Sequence, residues 1–174
     1  MLIAMATILP FDGVLPEVHP SAFLAPTAVL IGRVRVEADA VVMFGAVLRA
    51  DRDRIVLGRG SNLQDNVVVH CDPGSPALIG ADVSVGHGAV VHGCTIEEDC
   101  LVGMNATVLN GAVVGTGSLI AGGAVVLERT VVPARSLVAG VPAKVRRAIS
   151  DEELEHIRAN AATYRDLAAT YRNE

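Results

Sequence analysis

Ile96-Glu-Glu-Asp-Cys-Leu-Val102-Gly-Met-Asn-Ala-Thr-Val108-Leu-Asn-Gly-Ala-Val-Val114-Gly-Thr-Gly-Ser-Leu-Ile120-Ala-Gly-Gly-Ala-Val-Val126-Leu-Glu-Arg-Thr-Val-Val132-Pro-Ala-Arg-Ser-Leu-Val138 returns to a branched apolar residue at every sixth position, without a slip. The same period runs upstream through Leu24, Leu30, Val36, Val42 and Leu48, then Leu57, Leu63 and Val69, then Ile79, Val85 and Val91. A small residue stands four positions after most of these, as at Ala46, Ser61, Ala89, Ala106 and Ser118. Glycine often follows the apolar residue directly, as at Gly58, Gly80, Gly86, Gly103 and Gly115. A helix would space its apolar residues near every 3.6 positions, and a plain alternating strand does not enforce a period of six. The pattern predicts an all-β solenoid, a parallel β-helix of hexapeptides. In it the large apolar residue fills the coil interior, the small one fits a corner, and glycine relaxes the turn.

Composition agrees with a narrow prism. The chain of 174 residues is 51% hydrophobic but 3% aromatic and has no Trp. A net charge of −5 offers no basic footprint for nucleic acid or an anionic membrane. The apolar stretch at residues 1–9 lacks a basic flank and is followed by Pro10-Phe-Asp-Gly13, so it reads as a first strand and not a signal peptide. No apolar run is long enough to span a bilayer. Three cysteines (Cys71, Cys94 and Cys100) suggest no disulfide framework, which favours reduced thiols in a cytoplasm. The β-helix is expected to occupy residues 1–149, closing on a turn-rich exit at Val138–Lys144. Ser150 and Glu153 form a capping box that opens a C-terminal α-helix in residues 150–174, helical over roughly 151–172. Leu154, Ile157, Ala161, Tyr164, Leu167 and Tyr171 make its apolar stripe, predicted to lie on the prism or a neighbouring subunit.

The repeat resembles the hexapeptide-repeat superfamily, which implies a left-handed, three-faced prism with three hexads to a coil. Counted so, Leu48, Val69 and Val91 stack on one face, and Leu63 and Val85 on the preceding one. Arg49, His70 and His92 each follow a member of the first trio and form an outward column, with coils about 4.8 Å apart. Two imidazoles at that spacing can converge on one metal ion. His87 stands over Asp65, with Gln64 beside them, in a second column around a corner, so it is aimed at a different subunit. That contact is heterologous and must close into a ring, and three copies close most simply around a three-sided prism. A homotrimer with interfacial sites is the expectation. Three histidines also leave a coordination position open for water.

The polar set then resembles the gamma-class carbonic anhydrases. The matching stretches are Val47-Leu-Arg49-Ala-Asp51, Ser61-Asn62-Leu-Gln64-Asp65-Asn66-Val-Val-Val-His70, Val85-Gly-His87-Gly-Ala-Val-Val-His92-Gly-Cys94 and Val102-Gly-Met-Asn-Ala106. The likeness implies a metal held by His70 and His92 of one subunit and His87 of the next, the ion being zinc, iron(II) or cobalt. It implies that a metal-bound hydroxide hydrates carbon dioxide to bicarbonate, that Gln64 orients it, and that Asn62 supports the site through hydrogen bonds. Arg49 looks like the partner of Asp51 and Asp65 in an ion-pair network across the interface, as trimer glue or as part of the catalytic surroundings. Tyr164 either presents its hydroxyl over the site or packs on the prism.

Two features depart from the family's best-studied type. The acidic loop after the first metal histidine is reduced to Cys71-Asp-Pro-Gly-Ser-Pro76, with Asp72 its one carboxylate, and Arg52 stands where that type has an acid. Proton export would fall to Asp72 or to buffer. Two other function classes stay open: a hexapeptide acyltransferase or acyl-thioesterase, and a metal-binding scaffold. The chain has no long loop carrying a lone catalytic histidine, the usual acyltransferase arrangement.

Overall fold

The computed structural model describes residues 5–173; of the stretch read as a first strand, residues 1–4 lie outside them, and Thr7–Leu9 is a strand. The architecture is a left-handed parallel β-helix of about seven turns carrying one C-terminal helix. Most strands are two or three residues long, because each face of the prism needs only one inward residue and its flanks.

Three apolar columns fill the interior, each in unbroken parallel register. One runs Leu30, Leu48, Val69, Val91, Val108, Val126. The next runs Val36, Leu57, Ile79, Ile96, Val114, Val132, and the third Leu24, Val42, Leu63, Val85, Val102, Ile120, Val138. Consecutive hexads visit the columns in turn, so three hexads make a coil. Apart from Leu24, all these residues are buried. The corner residues Ala46, Ser61, Ala89, Ala106 and Ser118 are fully buried too.

The glycines divide into two sets with different work. Gly45, Gly88, Gly111 and Gly123 occupy corners at positive φ, a region that Asn66, Asp82, Asp99 and Asn105 also adopt. Gly58, Gly80, Gly86, Gly103 and Gly115 do not relax the turn, contrary to expectation. A Cβ on any of them would collide with the backbone of the next coil. They are there because stacked coils approach too closely for a side chain.

The exit from the solenoid is not only a turn. Lys144–Ala148 folds back as an antiparallel strand on Ser136–Ala139. The helix Asp151–Arg172 begins with the expected capping box, Ser150 and Glu153 each bonding the other's backbone N–H. It then runs back along one corner of its own prism. Arg158 pairs with Asp99 at 2.9 Å, Arg165 with Asp82 at 2.8 Å and the Gly60 carbonyl at 3.1 Å, and Arg172 reaches the Ser21 carbonyl. Fourteen helical residues rise about 21 Å, and the four coil steps from Asp99 to Ser21 span about 19 Å. A seven-residue arginine spacing therefore tracks the corner. The apolar contact is Ile157, Ala161, Tyr164 and Ala168; Leu167, expected in the stripe, is 39% exposed. A straight corner selects a 3.5-residue repeat, which places Ala168 inward and Leu167 on the flank. Tyr171 stacks on Phe23 and meets Phe44 edge-on, with centroids 6.0 and 5.3 Å apart. Among the described residues no helix is long and apolar enough to cross a membrane.

Candidate metal centre

Arg49, His70 and His92 are direct neighbours in the register, one per coil. Each follows an inward apolar residue, and the alternation of a strand turns it outward. The rings of His70 and His92 lie 4.9 Å apart between centroids, and His70 Nδ1 is 2.9 Å from His92 Nε2. Their outer nitrogens are engaged elsewhere. His70 Nε2 is 2.9 Å from Asp51 Oδ1, and His92 Nδ1 is 2.8 Å from Asn110 Oδ1. Asp51 also bonds Arg49 within the same chain. Burial would raise the Asp51 carboxyl, but the His70 and Arg49 bonds outweigh it and hold the group below its ordinary range. Asp51 is therefore an acceptor only, and His70 must donate from Nε2.

This donor set fits a cation. With the hydrogens on His70 Nε2 and His92 Nδ1, the two nitrogens that face each other carry lone pairs. Two such lone pairs repel at 2.9 Å, and a shared metal ion converts the repulsion into two bonds. Zinc–nitrogen bonds of about 2.0–2.1 Å can span that gap. Asp72 is close enough to join a three-member group with His70 and His92.

His87 is at another corner. Its Nδ1 lies 2.9 Å from Asp65 Oδ2 and its Nε2 is 3.3 Å from the Tyr164 hydroxyl. Burial raises the Tyr164 hydroxyl, and the Asp65 charge raises it further, so it stays protonated. Gln64 Nε2 donates to Asn62 Oδ1 at 3.3 Å, and Asn62 Nδ2 donates to Ser84 Oγ at 2.9 Å. Asn62 and Ser84 are fully buried and Gln64 nearly so. One chain thus gathers Arg49, Asp51, His70 and His92 at one corner, and Asn62, Gln64, Asp65, His87 and Tyr164 around another. Asp65 meets His87 and not Arg49 within the chain.

A Methanocaldococcus jannaschii protein named "Probable carbonic anhydrase" is 53% identical over 147 residues, covering 84% of this chain and 92% of its own. The chain belongs to the gamma-class carbonic anhydrase family. The carnitine operon protein CaiE of Citrobacter koseri is 43% identical over 164 residues, 93% of this chain and 82% of that protein. Within this carbonic anhydrase family member, residues 93–128 match the bacterial transferase hexapeptide (six repeats) model. Among solved structures, a hexapeptide transferase family protein from Anaplasma phagocytophilum superposes with a TM-score of 0.92 at 37% identity, covering 95% of this chain and 98% of its own.

Asn110 was not among the residues singled out from the sequence. Its signal was available: it stands two positions after Val108, the residue that stacks on Val91 above the His92 strand.

Proposed function

We propose that this protein hydrates carbon dioxide reversibly to bicarbonate at metal sites shared between subunits of a homotrimer. The observation that supports it most is the pair of imidazole nitrogens brought to 2.9 Å at one corner, while the third histidine of the family's set stands at another. His70 and His92 would hold the ion, and His87 of the neighbouring subunit would complete the set. Zinc suits three imidazoles, and iron(II) or cobalt(II) accept the same donors. When bound, the divalent ion supplies Lewis acidity that makes water nucleophilic near neutral pH.

The chain's own groups then bind and orient. Gln64 presents a neutral amide able to donate and accept, and the buried Asn62–Ser84 pair fixes its direction. Tyr164 keeps its proton and, 3.3 Å from His87 Nε2, would offer its hydroxyl to an oxygen of the substrate. Arg49, held by Asp51, would meet Asp65 of the next subunit, which sets the register of the interface. All three cysteines are free and buried, in keeping with a reducing cytoplasm.

The test is metal content with stopped-flow carbon dioxide hydration on anaerobically purified protein supplied with zinc or iron(II). One ion per chain, lost in both His70→Ala and His87→Ala, is the expected result. A stable trimer that takes up no metal sinks the reading. Metal without hydration moves the weight to thioester hydrolysis, in keeping with the transferase-family neighbour, or to a metal-binding scaffold.

A further inference from the structure

Asp72 lies in the short loop that replaces the acidic loop, and Asn110 lies a coil above His92. Asn110 Nδ2 donates to Asp72 Oδ2 at 2.7 Å, while its Oδ1 faces His92 Nδ1 at 2.8 Å. An amide has one donating and one accepting end, and a carboxylate can only accept. Asp72 therefore fixes which way the Asn110 amide points. The amide then decides which nitrogen of His92 keeps its hydrogen.

From this chain of bonds we infer that Asp72 and Asn110 are a positioning pair that holds His92 in the Nδ1–H tautomer and so leaves Nε2 bare for a metal. The inference rests on the metal-site reading above and extends it to two residues outside the ligand set.

Three further details show that the pair is built. The Asp72 loop is closed by the Ser75 N–H donating to the Asp72 carbonyl at 2.9 Å, and pinned by the Gly74 N–H donating to Asp53 Oδ2 at 3.0 Å. Gly93 lies at φ 56°, directly beneath the Asn110 side chain, and a Cβ there would collide with Asn110 Oδ1. The hexad before Ile96 is also one residue short, which carries the chain from His92 straight into that glycine. Partners of metal-bound histidines typically change metal affinity by 10–100-fold when removed.

The sharpest variant is Asp72→Asn, which keeps shape and removes the acceptor-only constraint. The Asn110 amide is then free to flip and offer a hydrogen to His92 Nδ1. Long-range proton–nitrogen spectra of histidine-labelled protein at pH 8 should show His92 as one Nδ1–H tautomer in the wild type and as a mixture in Asp72→Asn. Competition against a chelator should show zinc and cobalt(II) bound roughly 10-fold or more weakly in Asp72→Asn and in Asn110→Leu. Asp82→Asn, on the helix corner, should change neither readout.

Wild-type affinity and an unchanged tautomer in Asn110→Leu would overturn the inference. So would a loss confined to Asp72→Asn, which would make Asp72 a direct ligand. If the wild type binds neither metal the functional reading fails, whereas the metal-free tautomer spectrum still decides the positioning pair.

Discussion

From Ile96 to Val138 the solenoid keeps perfect step, whereas between Leu48 and Ile96 it breaks step three times: Leu48 to Leu57 takes nine residues, Val69 to Ile79 ten, and Val91 to Ile96 five. The register shows that all three breaks fall at one corner, between the face of Leu48, Val69 and Val91 and the face of Leu57, Ile79 and Ile96. That corner carries Asp51, His70, Asp72, His92 and Gly93. The regular coils supply a rigid ruler, and the departures from it place the polar groups. Irregular segments on a rigid scaffold are where binding residues concentrate.

The largest effect expected is on the proposed metal site, split between corners of different subunits. His70→Ala and His87→Ala should each bind no metal alone. Dissociated together and reassembled at equal ratio, they should recover about a quarter of the wild-type sites, because each interface draws independently on two subunits. Recovery of no sites would mean that all three histidines serve one chain, and the two-corner comparison would lose its chemical meaning.

A second test compares a glycine from each region. At Gly103, in the regular coils, a Cβ would sit 2.5 Å from the Gly122 backbone nitrogen. Gly103→Ala should therefore cost on the order of 3 kcal/mol or prevent folding, by forced displacement of packed coils. Gly74, in the broken corner, has φ 76° and nothing within 4 Å of the added atom. Gly74→Ala should cost only the left-handed backbone penalty, about 1–2 kcal/mol. Urea midpoints of the two variants give the ratio, and equal costs would show the two regions to be packed alike.

Much of this was legible in the chain because period six is a rigid code. The columns Leu48–Val69–Val91 and Leu63–Val85 follow from counting, and they put His70 over Arg49 and His87 over Asp65. The helix start at Ser150 was legible because a capping box is local chemistry. What escaped depends on distances between segments. The close approach of Gly103 to Gly122 is a property of the coil rise, not of either residue's neighbours. The inward turn of Ala168 and outward turn of Leu167 follow from the straightness of the corner that the helix tracks. Asn110 escaped because its partners, Asp72 and His92, are brought to it only by stacking.

The helix bridges the two regions, so its anchor offers a milder perturbation. Glu153 is held down to about 2, chiefly by the Arg147 hydrogen bond and then by the Ser150 backbone N–H. A depressed carboxyl stabilises the fold fully above its unfolded value near 4.5 and loses that contribution as pH falls through the folded one. Glu153→Gln should thus melt below the wild type at pH 6, with the difference shrinking between about pH 4 and 2. A constant difference over that range would assign the effect to packing and not to charge.

The smallest effect needs no mutation. Cys71 and Cys94 lie in the broken corner, between Val69 and Ile79 and between Val91 and Ile96, while Cys100 sits in the regular coils, and all three are buried. Burial pushes Cys94 and Cys100 up to about 12 and raises Cys71 as well, so at pH 8 none is a thiolate. Since the thiolate is the reactive form, a disulfide reagent should label none of them in the native protein and all of them in denaturant. The order at intermediate urea is the informative part. A corner interrupted by loops has fewer ladder bonds to break than a continuous coil, so it should open at lower free energy. Cys71 and Cys94 should then be labelled before Cys100, read by mass spectrometry of timed samples. Simultaneous labelling would mean that the broken corner opens only with the whole solenoid, and that its irregular chain is locked as firmly as the coils that carry it.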